Sequence, residues 1–406
     1  MLKKIRVSEA TTGMYIQKLE GSWMDHNFWR TKFLIEDDAT LEQLRRCGAS
    51  EVWIDVSQGL DLPALRQSSP AAAAAPARKS PRVSAPVPAD TPPDFTQELK
   101  QAGKIRDRAG AAVRDMFHEA RMGAAIQPDA FVPVVNEIVD SVTRHGDALI
   151  SLSRLKSADE YTYLHSVAVC ALMVSLGRNL GLSEDDCRLA GMAGLMHDIG
   201  KAGTPLEVLN KPGSLTDQEF DIIRRHPENG ERMLRDSGMT SEKVLDVVRH
   251  HHEKMNGKGY PDRLVGDGIS MLARMGAVCD VYDAITSNRP YKAGWDPAES
   301  LARMASWKGQ FDEEVLKAFI KSLGIYPTGS LVRLTSNRLG VVVEQNASKI
   351  TSPKVKVFFS LSSRSQLLPQ LVDLAQQGCT DKIVGREPRE NWPFENLEDL
   401  WQAAHA

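Results

Sequence analysis

Between residues 63 and 95 the chain loses almost every large apolar side chain. It runs from Ser69-Pro70-Ala71 to Ala77-Arg78 and on through Pro81, Pro86, Pro88, Pro92 and Pro93. Such a stretch cannot bury enough surface to repay the entropy of ordering it. It is expected to be a flexible, partly extended linker. A chain of 406 residues interrupted there must build separate units on either side. Hydrophobic residues make up 42% and charged residues 25%, so those units are globular. The formal net charge of −3 gives no basis for a polyanion groove, and neither DNA nor RNA is expected as a partner.

The texture differs along the chain. Residues 1–62 read as a small α/β module, because Val52, Ile54 and Val56 alternate with Trp53 and Asp55 as in a strand. Leu41, Leu44 and Cys47 fit one face of a helix. Residues 96–324 read as helical. Phe131, Val134, Val135, Ile138, Val139 and Val142 follow a helical period. Residues 163–180 are apolar on nearly all sides, as in a central buried helix, and Gly181 ends it. Ser183 followed by Asp186, and Thr216 followed by Glu219, read as helix-opening caps. In residues 325–406, Gly329–Val343 and Val355–Phe359 read as short strands with a turn at Asn337 or Gly340, ahead of a last helix near Leu397, Leu400 and Trp401. The fold class expected is mainly α, with a small α/β module before it and a β-rich appendage after it. No apolar run approaches the ~20 residues needed to span a bilayer. The basic start, Met1 to Arg6, has no apolar stretch behind it and is not read as a signal peptide. Cys47, Cys170, Cys187, Cys279 and Cys379 form no Cys-x-x-Cys pair, which fits a reduced, cytoplasmic protein.

The chemistry lies in the histidines and aspartates of the helical part. His197-Asp198 follows an apolar helix and is stopped by Gly200. His251 continues the apolar stripe Val244, Val247, Val248. An imidazole on a core-facing stripe must be paired or metallated, since burying it unsatisfied costs about 1–3 kcal/mol. Asp280 sits between Val278 and Val281 in an apolar helix, and a buried carboxylate without a local partner calls for a cation. Nitrogen and carboxylate donors without thiolates suit Fe, Mn or Zn. Spacing alone does not make these helices converge, and a buried polar network without metal is the other reading.

The ordered set His197-Asp198-Ile199-Gly200-Lys201, Arg225-His226-Pro227, His251-His252-Glu253, Gly259-Tyr260-Pro261, Asp280-Val281-Tyr282-Asp283-Ala284 and Arg289-Pro290-Tyr291-Lys292 resembles the HD-GYP family. Asp159 to Ser166 resembles its opening motif, and Leu209 to Gly213 with Glu219 the segment after the HD pair. The likeness covers about residues 159–292. Gly13-Met14-Tyr15 and Ser22 to His26 resemble a small domain of unknown role found ahead of bacterial HD-GYP domains.

The resemblance implies an HD-type helical fold and hydrolysis of cyclic di-GMP to linear pGpG or GMP at a centre of divalent ions. Those ions would be Fe or Mn, with Zn, Ni or Mg as alternatives. His165, His197, Asp198, His226, His251, His252 and Asp280 match metal ligands, and Asp198 is the candidate for bridging. Lys201 matches a phosphate-contacting lysine that acts with Asp198 in catalysis. Asp283, Arg289 and Lys292 match substrate-side positions, and Tyr260 and Pro261 belong to the signature loop. In some members a glutamate four residues before the first histidine supports a third metal. Here that residue is Tyr161, so two metals are expected rather than three. His250, by register, supports the cluster from behind or faces solvent. Two alternatives stand beside this reading. One is a phosphodiesterase for mixed cyclic GMP-AMP. The other is a domain that binds cyclic dinucleotide or protein partners without turnover, whose signature would be lost ligands. The N-terminal module is the expected place for homodimer or regulator contacts.

Overall fold

The computed structural model describes residues 2–19, 33–35, 41, 51–55, 95–153, 161–211, 213–287, 294–346, 349–394, 397 and 400. The chain divides into two compact units, Met1–Val87 and Pro88–Ala406. The expected linker, the helix face of Leu44 and Cys47, and Trp401 of the last helix fall outside the described residues.

The first unit is an antiparallel sheet of β1 (Leu2–Arg6), β2 (Tyr15–Leu19), β3 (Phe33–Leu34) and β4 (Glu51–Asp55), in the order β1-β4-β2-β3. Val52 and Ile54 point inward and pack with Ile5, Met14 and Ile16. This is the face that the alternation along β4 specifies.

The second unit is mostly helical. It opens with α1 (Phe95–Arg121), then α2 (Val132–Arg144), α3 (Gly146–Ser153), α4 (Tyr161–Asn179) and α5 (Glu184–Met196). A short 3₁₀ segment, Ile199–Gly203, leads into α6 (Leu206–Leu209) and α7 (Asp217–Ile223). There follow α8 (His226–Asp236), α9 (Glu242–His250), α10 (Met271–Thr286), α11 (Pro297–Ser306) and α12 (Glu313–Leu323). α4 is the central helix, with every residue from Val167 to Val174 buried. The Ser183 hydroxyl accepts from the Asp186 amide, and Thr216 with Glu219 forms a complete capping box.

The C-terminal sheet has the order β8-β7-β6-β5-β9. Its strands are β5 (Leu331–Leu334), β6 (Arg338–Glu344), β7 (Lys354–Ser360), β8 (Ser365–Asp373) and β9 (Ile383–Arg386). Asn337 makes the turn, at φ 60°. Gly340 lies inside β6 instead, where a Cβ would come 2.4 Å from a Val355 methyl. The sheet belongs to the same compact unit as the helices. The Gln345 amide donates to Asp147 of α3 at 3.0 Å, and Arg386 pairs with Glu299 of α11 at 2.8 Å. Among the described residues no helix is long and apolar enough to cross a membrane. Cys170, Cys187, Cys279 and Cys379 are free thiols.

Candidate metal centre

Five helices aim the cluster. α5 is buried from Ala190 to Met196 and ends with His197 as its C-cap, so the His197-Asp198 pair emerges at the helix end. The next segment turns away at Gly200, against whose Cα the start of α8 passes. A Cβ there would lie 1.9 Å from the His226 carbonyl oxygen, so only glycine lets the two backbones meet. α9 is opened by the Ser241 hydroxyl and buries Val244, Leu245, Val247 and Val248, which delivers His251 and His252 to the same place. His165 comes from the buried face of α4, and Asp280 from α10 between buried Val278, Cys279 and Tyr282.

These seven side chains converge. Their donor atoms form two groups, Asp198–His226–His251–His252 and His165–His197–Asp280, each within 4.8 Å of one another. Asp198 spans the two. Its Oδ1 lies 3.2 Å from His226 Nε2 and 3.9 Å from His251 Nε2. Its Oδ2 lies 3.4 Å from His197 Nε2 and 3.7 Å from His165 Nε2. Asp280 spans them a second time, with Oδ1 at 3.0 Å from His165 Nε2 and Oδ2 at 3.6 Å from His252 Nδ1.

The histidines are oriented from behind. Nδ1 of His197 donates to the Gly194 carbonyl at 2.8 Å, Nδ1 of His226 to Ile223 at 2.7 Å and Nδ1 of His251 to Val248 at 2.9 Å. With the proton held at Nδ1, each ring turns the Nε2 lone pair inward. His226 Nε2 and His251 Nε2 then face each other at 3.2 Å. His197 Nε2 and Asp198 Oδ1 are buried without a hydrogen-bond partner among the described residues. Lone pairs pointed at one another in a dry site fit a cation shared between them. The donor set, imidazole and carboxylate with no thiolate, fits a divalent metal.

Electrostatics follow from this crowding. Burial lowers His226 and His251, the latter further because His252, His197 and His226 surround it. Burial takes His252 down to about 3 against the pull of Asp280. These rings are neutral at pH 7 and able to ligate. At His197 burial is overridden by Asp198 and Asp280, which raise it to about 10, so without a cation its inward nitrogen holds a proton that a bound metal would displace. Burial alone would push both carboxyls up. The His197 ring and Lys201 hold Asp198 well below the usual carboxylate range, and His165 and His197 do the same for Asp280.

The remaining predicted positions divide. Lys201 places Nζ 2.5 Å from Asp198 Oδ2 while its side chain stays partly exposed. Arg121 of α1 fixes its segment by donating to the carbonyls of Thr204 and Lys201 at 2.8 and 3.2 Å. The Tyr260 ring centroid is 4.8 Å from that of His252, and the Tyr260–Pro261 peptide is cis. Burial and the two carboxylates push the Tyr260 phenol upward, so it keeps its proton. Asp283, expected on the substrate side, is buried behind His165, bound to that ring's Nδ1 at 2.6 Å and one helical turn from Asp280. Arg289 and Lys292 lie outside the described residues.

Motif reading gave Glu253 no task and set His250 behind the cluster or in solvent. Glu253 is buried, and its Oε1 accepts the amides of Asp262 and Arg263 at 2.7 and 2.8 Å, fastening the loop that carries Tyr260. His250 bridges Asp246 and Asp262 at 2.7 and 2.9 Å and holds the same loop from the far side. The buried glutamate beside two histidines was the available signal.

A helical core gathering histidines and aspartates from α4, α5, α8, α9 and α10 has the arrangement of an HD-type domain. Residues 134–315 match the HD domain family, and residues 2–131 match a domain of unknown function. A cyclic di-GMP phosphodiesterase of Pseudomonas aeruginosa is 53% identical over 99% of this chain and 96% of its own length. A cyclic di-GMP phosphodiesterase response regulator of Xanthomonas campestris is 39% identical, over 42% of this chain and 47% of its own. A 3'3'-cGAMP-specific phosphodiesterase of Vibrio cholerae is 31% identical, over 43% and 41%. The chain belongs to the HD-GYP family.

Proposed function

We propose that this chain is a metal-dependent phosphodiesterase that hydrolyses cyclic di-GMP to linear pGpG, GMP or both. The observation that carries this reading is the position of Asp198, whose two oxygens face different sets of imidazoles. A carboxylate so placed could serve a cation in each of the two donor groups, and Tyr161, where a glutamate would support a third metal, favours two. The thiolate-free donors favour Fe or Mn, with Zn, Ni and Mg as competitors. Bound divalent cations supply charge neutralisation at the phosphate and a water acidic enough to attack it at neutral pH.

The protein's own groups do the rest. His165, His197, His226, His251, His252 and Asp280 would hold the metals, and Nδ1 of His165, His197, His226 and His251 is pinned by Asp283, Gly194, Ile223 and Val248, so that little reorganisation is needed. Lys201 is partly exposed beside Asp198, where its ammonium can meet a phosphate oxygen. Tyr260, kept as a phenol, donates a hydrogen bond to the phosphate from the loop side, with Pro261 shaping that loop. The Pseudomonas relative that spans nearly the whole chain favours cyclic di-GMP over the mixed cyclic dinucleotide. The test is to load purified protein anaerobically, measure Fe and Mn, and chromatograph the products formed from cyclic di-GMP. Asp198→Ala should cost on the order of a thousandfold or more in turnover and bind less metal while staying folded. Undiminished turnover in that variant would remove Asp198 from the centre, and absence of turnover in the loaded wild type would leave a binding domain.

A further inference from the structure

α7 buries none of its residues, although it carries Phe220 and Ile222. Phe220 is 47% exposed, a large aromatic left in water beside the cluster. Its ring centroid lies 6.4 Å from that of Tyr260, edge to face, and Tyr260 in turn abuts His252. Arg224, one helical turn beyond Phe220, sets its guanidinium 5.8 Å from the centre of the Tyr260 ring. It pairs with the exposed Asp221 at 3.3 Å. An open aromatic face and an arginine fork therefore stand next to the place where a phosphodiester would be cleaved.

We propose that Phe220 and Arg224 are the base-recognition side of this site, Phe220 stacking one guanine of the substrate and Arg224 donating to its O6 and N7. The inference rests on the phosphodiesterase reading and adds a specificity to it. Every base offers a face to stack, so Phe220 contributes affinity without choice. Guanine presents two acceptors on its Hoogsteen edge, which match the arginine fork. Adenine presents an amino donor there, which a guanidinium cannot accept. Arg224 thus selects cyclic di-GMP over adenine-containing cyclic dinucleotides at this subsite.

The test uses the full-length, metal-loaded chain with cyclic di-GMP, 3'3'-cGAMP and cyclic di-AMP. Phe220→Ala should raise KM for cyclic di-GMP about tenfold with kcat nearly unchanged, and Phe220→Tyr should restore it. Arg224→Met should cut the ratio of kcat/KM for cyclic di-GMP over cyclic di-AMP about tenfold. Metal content and Tm should be unaltered in both, because both side chains lie at the surface. An unchanged KM in Phe220→Ala, or an unchanged ratio in Arg224→Met, overturns the assignment. Calorimetric binding of cyclic di-GMP to the same variants provides an independent arm. If the wild type binds but does not turn over, the phosphodiesterase reading falls while loss of affinity in Phe220→Ala still supports the platform.

Discussion

Asp198 and Asp283 are both buried carboxylates on motif positions, yet the fold gives them different tasks. Asp198 points its oxygens into the centre, whereas Asp283 reaches the outer nitrogen of His165 at 2.6 Å. A carboxylate behind a ligating imidazole fixes the ring and strengthens it as a donor. Asp283→Asn should therefore weaken metal binding about 10–100-fold while leaving the secondary structure intact. Titration of the metal-free protein with Mn or Fe, followed by circular dichroism, reads both effects, and full affinity would return Asp283 to a substrate-side role. The family resemblance set Asp283 on the substrate side from its place in the motif, and a place in the chain does not say which way the partner helix lies. Whether a side chain one turn away faces a cavity or a neighbouring ring depends on the packing of α4 against α10, a long-range fact. His251 was legible as a candidate because an imidazole on a core stripe needs an explanation, and His226 through the motif that resembles the HD-GYP family. Their inward lone pairs were not, because the backbone carbonyls that set them depend on the helix ends.

At the scale of elements, the centre depends on close backbone approach between the segment after α5 and the start of α8. Gly200 makes that approach possible, and Gly230 of α8 comes near it, where an added Cβ would lie 3.1 Å from the Gly200 nitrogen. Gly200→Ala must push α8 away, at a cost of about 1–3 kcal/mol or more. It should also pull His226 from Asp198. Urea unfolding together with metal content checks this, and a variant with normal stability and full metal would show that α8 has room to spare. The caps at Ser183 and Thr216 were readable because each is a local contact between residues three apart. α1 was harder to see. Its buried positions include Ala102, Ala109 and Ala120, which contribute little apolar signal. β8 hid for another reason: it carries Pro369, leaves Leu368 and Leu371 in solvent and lies at the sheet edge, where proline is tolerated and alternation is not enforced.

Across the second unit as a whole, the helical body and the C-terminal sheet are joined at a titratable contact. Asp147 of α3 is only partly exposed and accepts the Gln345 amide at 3.0 Å, beside Ile150, Tyr282, Leu323 and Pro327. Burial raises its carboxyl to about 7, with Glu344 adding to the effect against the Gln345 hydrogen bond. The folded protein therefore holds this proton where the unfolded chain has released it. Below the unfolded value of about 3.9 both states are protonated and the fold carries no penalty. From there up to about 7 the unfolded state binds fewer protons, so stability declines with rising pH. Above about 7 the full penalty is present, at most on the order of 4 kcal/mol at about 1.36 kcal/mol per unit. Asp147→Asn keeps an oxygen for Gln345 and removes the charge. It should match the wild type near pH 3 and exceed it in Tm by several degrees at pH 8, with the difference growing between about pH 4 and 7 and level above that. Taking the difference between the two proteins cancels the opposite slope of the site carboxylates, which are held below their usual range. A constant difference across pH 5–8 would mean that the Asp147 carboxyl is already solvated at the junction, and that the sheet docks on the helices through Arg386 and Glu299 without it.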